Sequence, residues 1–242
     1  MNGKNKFGLD TLHSKLDEHL PWNIPDVIYV YALIFVVSLI FIGILLHASL
    51  DINIGLFTAL LQLGISLVTL GLVYTFVTVK YRIPFKDALG IHFQKIPYFF
   101  KQGIVSAGAI LLSTTVTSFI FSEFSTAGRS SPYMSMPEDK IKAIIFLAIF
   151  IAPIIEEIFF RGFMQPALIK ALGVFPGIVI TALIFGVSHT QYIGYNPALV
   201  AVTIIGLILG ITKYYTNSVI PGIFAHLFNN MIAAISLLSI TK

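Results

Sequence analysis

Two adjacent carboxylates, Glu156 and Glu157, stand inside an apolar run: Ala143 to Ile155 precedes them, and Ile158-Phe159-Phe160 leads on to Arg161. Ionisable groups at lipid depth are costly to insert, so they usually face a bundle interior or a wet cavity and act there. On a helix advancing about 100° per residue, Glu157 and Arg161 share a face, whereas Glu156 lies about 140° from Arg161. Arg161 is therefore predicted to neutralise Glu157, leaving Glu156 free as a general base. A helix-end pair snorkelling towards headgroups would explain Glu157 and Arg161, but not the second acid.

Two histidines in later apolar stretches are the natural partners. His189 closes Phe185-Gly-Val-Ser-His189, with Phe185 four residues back on the same face. His226 opens His226-Leu-Phe-Asn-Asn230; Asn230 shares its face, and Asn229 is displaced by about 60°. Taken singly, a His or Asn in a span often serves as inter-helix glue. Together, Glu156, His189, His226 and Asn230 are four polar groups on three hydrophobic helices, and such groups do best facing one another. A carboxylate base, an imidazole and a His/Asn donor pair are the parts for water-activated attack on an amide.

The elements that must position these residues are membrane helices. Of the 242 residues, 57% are hydrophobic and 11% charged, and the mean hydropathy is +0.91; a soluble domain carries about 25% charge. The apolar runs are too long and unalternating for barrel strands. The fold class predicted is all-α, a polytopic helical bundle of about seven spans. These are Val27–Leu50, Ile52–Val79 after a tight turn at Asp51, Gly103–Ser122, a fourth from Pro137 to about Leu172, two flanking a turn at residues 191–197, and Val219–Ile240. Residues 1–26 form a polar N-terminal segment, too long and acidic for a cleaved signal peptide. Residues 27–242 form one transmembrane domain, with the chemistry in a core of about 137–240. Tyr81–Lys101 interleaves charges with Phe85, Leu89, Ile91 and Phe93, which reads as an amphipathic surface helix. The polar loop Glu123–Asp139 precedes the fourth helix.

Lys80, Arg82, Lys86, Lys95 and Lys101 between spans two and three predict a cytoplasmic loop and a cytoplasmic N-terminus. Lys170 and Lys213 fall on the same side by alternation, whereas Arg129, Lys140 and Lys142 fall opposite. The net charge of +4 suits headgroup anchoring, not nucleic-acid binding. The absence of cysteine removes disulfides, thiol nucleophiles and Cys-ligated metals. Gly206-Leu-Ile-Leu-Gly210 fits close helix packing. With these spans Glu156 and His226 share a depth, but His189 falls about 10 Å away at 1.5 Å per residue.

Glu-Glu-x-x-x-Arg (156–161), Phe-x-x-x-His (185–189) and His-x-x-x-Asn (226–230), in that order, resemble the CPBP (CAAX protease and bacteriocin-processing, or ABI) family of glutamic intramembrane endopeptidases. The resemblance covers roughly residues 141–236. It implies that Glu156 with His189 activates water and that His226 with Asn230 holds the oxyanion. Glu157, Arg161 and Phe185 would support them, and no cofactor or metal is expected. The substrate would be a peptide or membrane protein, lipidated in a CAAX-type reaction, within the cell membrane of a prokaryote. Three alternatives stand beside this one. A zinc-dependent membrane protease could use Glu and His ligands, although no His-Glu-x-x-His is present. A non-catalytic scaffold or bacteriocin self-immunity protein would need no chemistry. A proton-coupled transporter would show paired broken helices.

Overall fold

A computed structural model describes residues 20–47, 54–121, 145–189 and 196–240, and no strand occurs among them. The chain runs through α1 (Ile24–His47), α2 (Ile54–Tyr74, extended by a π-helical segment Thr75–Lys80), a one-turn α3 (Phe85–Ala88), and α4 (Ile96–Ile120). A composite helix follows: a π segment Leu147–Ile151, α5 (Ala152–Glu156), a second π segment Glu157–Met164, and α6 (Gln165–Leu172). The chain ends with α7 (Val174–Ser188), α8 (Asn196–Thr216) and α9 (Ile220–Ile240). By length and composition, four helical stretches can cross a membrane: Ile24–Ile44, Leu56–Lys80, Phe85–Ile120 and Pro197–Thr216. Val174–Ser188 and Ile220–Ser236 are apolar but shorter. This is the polytopic helical bundle expected.

Tyr81–Lys101 does not form one continuous surface helix. Arg82 and Gly90 take positive φ (58° and 65°), which breaks the stretch into α3 and a 3-10 turn at Phe93–Lys95 before α4 begins. Pro97 sits in the first turn of α4, where a missing N–H costs nothing, so that span starts earlier than Gly103. The expected turn at Asp51, the 123–139 loop, the helix start at Pro137, the turn at 191–195 and residues 1–19 lie outside the described residues.

The composite helix is wound in π register for a reason written in its prolines. A proline ring collides with the carbonyl of residue i−4 and supplies no N–H. Pro153 and Pro166 each follow a π segment by two residues, and the amides just before them reach back five residues: Ala152 to the Leu147 carbonyl and Gln165 to the Phe160 carbonyl. The wider turn relieves the collision, in a geometry that recurs at functional sites. Every residue of Glu157–Met164 is buried. Its Phe159, Phe160 and Phe163 pack with Trp22, Val30, Val73, Leu89, Phe185 and Val219 into the main apolar core.

Helix α9 packs on α4, α8 packs on both α7 and α4, and α6 packs on α7. A second apolar cluster, Ala107, Ile110, Ile205, Leu209 and Ala225, joins α4, α8 and α9. The segment before α1 is pinned to the composite helix. The Trp22 indole donates to the Phe163 carbonyl (2.9 Å), and the Lys170 ammonium donates to the Leu20 carbonyl (2.7 Å). Asp26 accepts from Lys80 and from the Tyr81 hydroxyl. The start of α1, the end of α2 and the end of α6 thus share one end of the bundle, as the lysine alternation predicts.

Candidate active site

The site is held by a hairpin whose arms match. Gly173, at φ 87°, joins α6 to α7, a conformation that a Cβ disfavours. Glu156 lies 17 residues before it and His189 lies 16 after it, so the two return to the same level. The anticipated 10 Å offset of His189 is therefore not found. Helix α7 has only 15 residues, about 22 Å at 1.5 Å each, short of the ~30 Å bilayer core. At that length it is too short to cross the core as an α-helix, and His189 sits at its C-terminus.

There the helical phase argument holds. Arg161 Nη1 lies 3.1 Å from Glu157 Oε1, with both side chains fully buried. Glu156 turns the other way and keeps 26% of its side-chain surface exposed. Two imidazoles approach its free oxygen: His189 Nε2 is 3.9 Å and His226 Nε2 is 3.8 Å from Glu156 Oε2.

The opposite nitrogens of both rings are committed. His189 Nδ1 is 2.8 Å from the Phe185 carbonyl, and His226 Nδ1 is 3.4 Å from Glu157 Oε1. A carbonyl and an arginine-paired carboxylate only accept, so each Nδ1 carries the hydrogen. In the neutral form each ring turns an Nε2 lone pair towards Glu156. These distances are too long for direct hydrogen bonds and suit a small polar molecule between acceptors. His226 thus contacts both glutamates, a bridge that the sequence reading did not foresee.

Phe185 is the platform beneath. Its ring lies 4.3 Å from the Arg161 guanidinium carbon, 4.6 Å from the His189 ring and 5.9 Å from that of His226. Cation–π attraction over a buried ring favours the arginine's placement.

Asn230 is engaged elsewhere. Its Nδ2 donates to the Ala148 carbonyl (2.8 Å), and its Oδ1 accepts from Asn229 (3.2 Å). The π register explains the first bond. Ala152 bonds to Leu147, the next amide in that pattern would be residue 153, and proline has none. The carbonyl that Pro153 leaves without a partner is the one that Asn230 takes. One N–H of its amide remains.

Residues of α6, α8 and α1 complete the surroundings. Gln165, one turn beyond Arg161, is buried and donates to the Gly210 carbonyl (2.9 Å), while Arg161 Nη2 donates to the Gly206 carbonyl (3.0 Å). Their position on the Glu157–Arg161 stripe, and the Gly206/Gly210 spacing, were the available signals. Tyr31 of α1 stacks on Phe159, with its hydroxyl 3.1 Å from Ser188 Oγ; no pattern in the sequence marks it. Among the described residues, no group of three His, Cys, Asp or Glu side chains is arranged to hold a metal ion.

Residues 139–232 match the family model described as Rce1-like, type II CAAX prenyl endopeptidase Rce1-like. The matched region contains all three motifs and agrees with the CAAX-protease resemblance. At family level it supports an intramembrane endopeptidase acting on a peptide or protein in the membrane. No curated protein and no solved structure matches the chain.

Proposed function

We propose that the chain, taken as a CAAX-type membrane endopeptidase, is a glutamic protease whose water is held between Glu156 and His189. The observation that carries this is the convergence of two Nε2 atoms on Glu156 Oε2, with both Nδ1 atoms already committed. Two acceptors 3.9 Å apart suit a water that donates one hydrogen to each. Glu156 takes a proton as the water oxygen bonds to the scissile carbonyl carbon. The carbonyl oxygen becomes an oxyanion, which accepts from the Nε2–H of a protonated His226 and from the remaining N–H of Asn230.

As the C–N bond breaks, the protonated Glu156 returns its proton to the departing amine, the C=O re-forms, and the site is regenerated. Arg161 and Phe185 hold Glu157, and Glu157 holds His226.

The substrate class is a lipidated peptide or a membrane protein reached from the lipid, and the setting is a prokaryotic cell membrane with the N-terminus cytoplasmic. Comparing the membrane peptides of cells carrying wild type and Glu156→Gln tests the reading. New N-termini should appear with wild type only, and they should persist in purified protein treated with a strong chelator. Cleavage by Glu156→Gln, or full biological function of that variant as expected of a scaffold or immunity protein, would sink the proposal. Loss on chelation would favour zinc.

A further inference from the structure

We infer that Gly206 of α8 is a positioning residue of this site: its carbonyl oxygen fixes the Arg161 guanidinium at a helix approach so close that a side chain there would displace its neighbours. The inference deepens the proposed reaction and rests on it for its kinetic part, but not for its structural part. The Arg161 guanidinium is fully buried; besides the Phe160 ring of its own helix at 5.8 Å, it meets Glu157 Oε1 at 3.1 Å, the Phe185 ring at 4.3 Å and the Gly206 carbonyl at 3.0 Å. Glu157 and Phe185 belong to motifs already discussed. The carbonyl comes from the backbone of a separate helix that contributes no side chain to the chemistry.

The close approach of α7 leaves little room for a side chain at this position. A Cβ at residue 206 would stand 3.0 Å from Phe185 Cδ1, 3.2 Å from Ala182 Cα and 3.3 Å from the Ala182 carbonyl. The last two are backbone atoms of α7 and cannot swing aside. An alanine would therefore push α8 off α7 by a few tenths of an ångström, or displace the Phe185 ring. Either movement reaches the site. Drawing the carbonyl away removes one of the two charge-assisted or ionic contacts on a buried guanidinium. Shifting the ring disturbs the surface on which His189 and His226 rest. Arg161 holds Glu157, and Glu157 fixes which nitrogen of His226 carries the hydrogen, so the effect ends at a reacting atom.

Gly210 supplies an internal control. It lies one turn along the same helix face, and its carbonyl accepts from Gln165 in the same manner. A Cβ there would meet the Gln165 amide oxygen at 2.8 Å and Ile178 Cγ2 at 3.0 Å. Its alanine variant should loosen α8 to a similar degree, but away from Arg161.

The test uses full-length Gly206→Ala and Gly210→Ala, with the histidines labelled with nitrogen-15, in detergent or lipid. Spectra are recorded as pH is raised until His226 is neutral; in that form wild type should carry the remaining proton on Nδ1, which the ring nitrogen shifts report directly. Gly206→Ala should move His226 towards a mixture of tautomers and lower kcat about tenfold or more, with KM little changed. Gly210→Ala should keep the wild-type tautomer and kcat per folded molecule, even if it melts earlier. A wild-type His226 spectrum in Gly206→Ala, or the same spectral change in Gly210→Ala, would overturn the inference. The spectral result stands without any cleavage assay. A failed protease reading would show instead as activity unaffected by Glu156→Gln.

Discussion

Replacing Arg161 by Met separates what the buried ion pair does for the fold from what it does for the chemistry. Glu157 and Arg161 are both fully buried and 3.1 Å apart, and Gly206 supplies the one hydrogen-bond acceptor found for the guanidinium among the described residues. Removing the cation leaves a carboxylate in an apolar core with no compensating charge on its own helix. Breaking a buried pair in this way costs about 3–5 kcal/mol, whereas replacing both partners by uncharged groups of similar volume is often neutral. At about 2–4 °C per kcal/mol for a chain of this size, Arg161→Met should melt about 6–20 °C below wild type.

The double variant Glu157→Gln/Arg161→Met should recover most of that loss. Its activity should stay low, because an uncharged amide holds the His226 Nδ1–H less strongly. The assay is built into the protein. The sequence has one tryptophan, and Trp22 is fully buried, stacked on Phe163 with ring centres 5.5 Å apart and bonded to its carbonyl. Trp22 emission during thermal unfolding therefore reports on the helix that carries the pair. An Arg161→Met shift below about 2 °C would refute the account of Arg161 as the neutralising partner. A double variant no more stable than the single one would refute it equally.

Other outcomes follow from the same contacts. Asn230→Leu removes the bond to the Ala148 carbonyl and should cost about 0.5–1.5 kcal/mol. Adding Pro153→Ala restores an N–H nearby and should return part of that in the same fluorescence melt; additive losses would count against the π-register argument. Gly222→Ala places a Cβ 2.6 Å from Glu157 Oε2, so it should lower cleavage markedly, while Gly71→Ala, whose Cβ meets nothing within 4 Å, should leave cleavage unchanged.

Much of the site could be read before the fold was known. That Glu157 pairs with Arg161 while Glu156 turns away needed only helical phase, and a π segment that begins at Glu157 still leaves Glu157 beside Arg161. The histidines were legible because polar groups in lipid seek each other. What escaped the reading was register and length. A uniform 1.5 Å rise treats the fourth helix as one α-helix, yet Pro153 and Pro166 were visible in it and each imposes a wider turn. The same arithmetic made α7 a full span, whereas it has 15 residues. The bond from Asn230 to Ala148 depends on which carbonyl a proline orphans, and that becomes clear only once the π register is known. The role of Gly206 escaped for another reason: Gly-x-x-x-Gly signals close approach but not what the exposed backbone then binds.

The matched arms of the hairpin at Gly173 bear on which alterations the chain can absorb. Residue identity between Glu156 and His189 is negotiable at many exposed positions, but residue number is not. One inserted residue in either arm would turn everything beyond it by about 100° and move it about 1.5 Å along the axis, carrying a glutamate or a histidine off the common point. Compensation would need an equal change in the other arm. The spacing of 33 positions between the two residues therefore behaves as a dimension of the machine, as fixed as a bond length is to a smaller catalyst. Redesign of this protein should vary the side chains along the hairpin and leave its count alone.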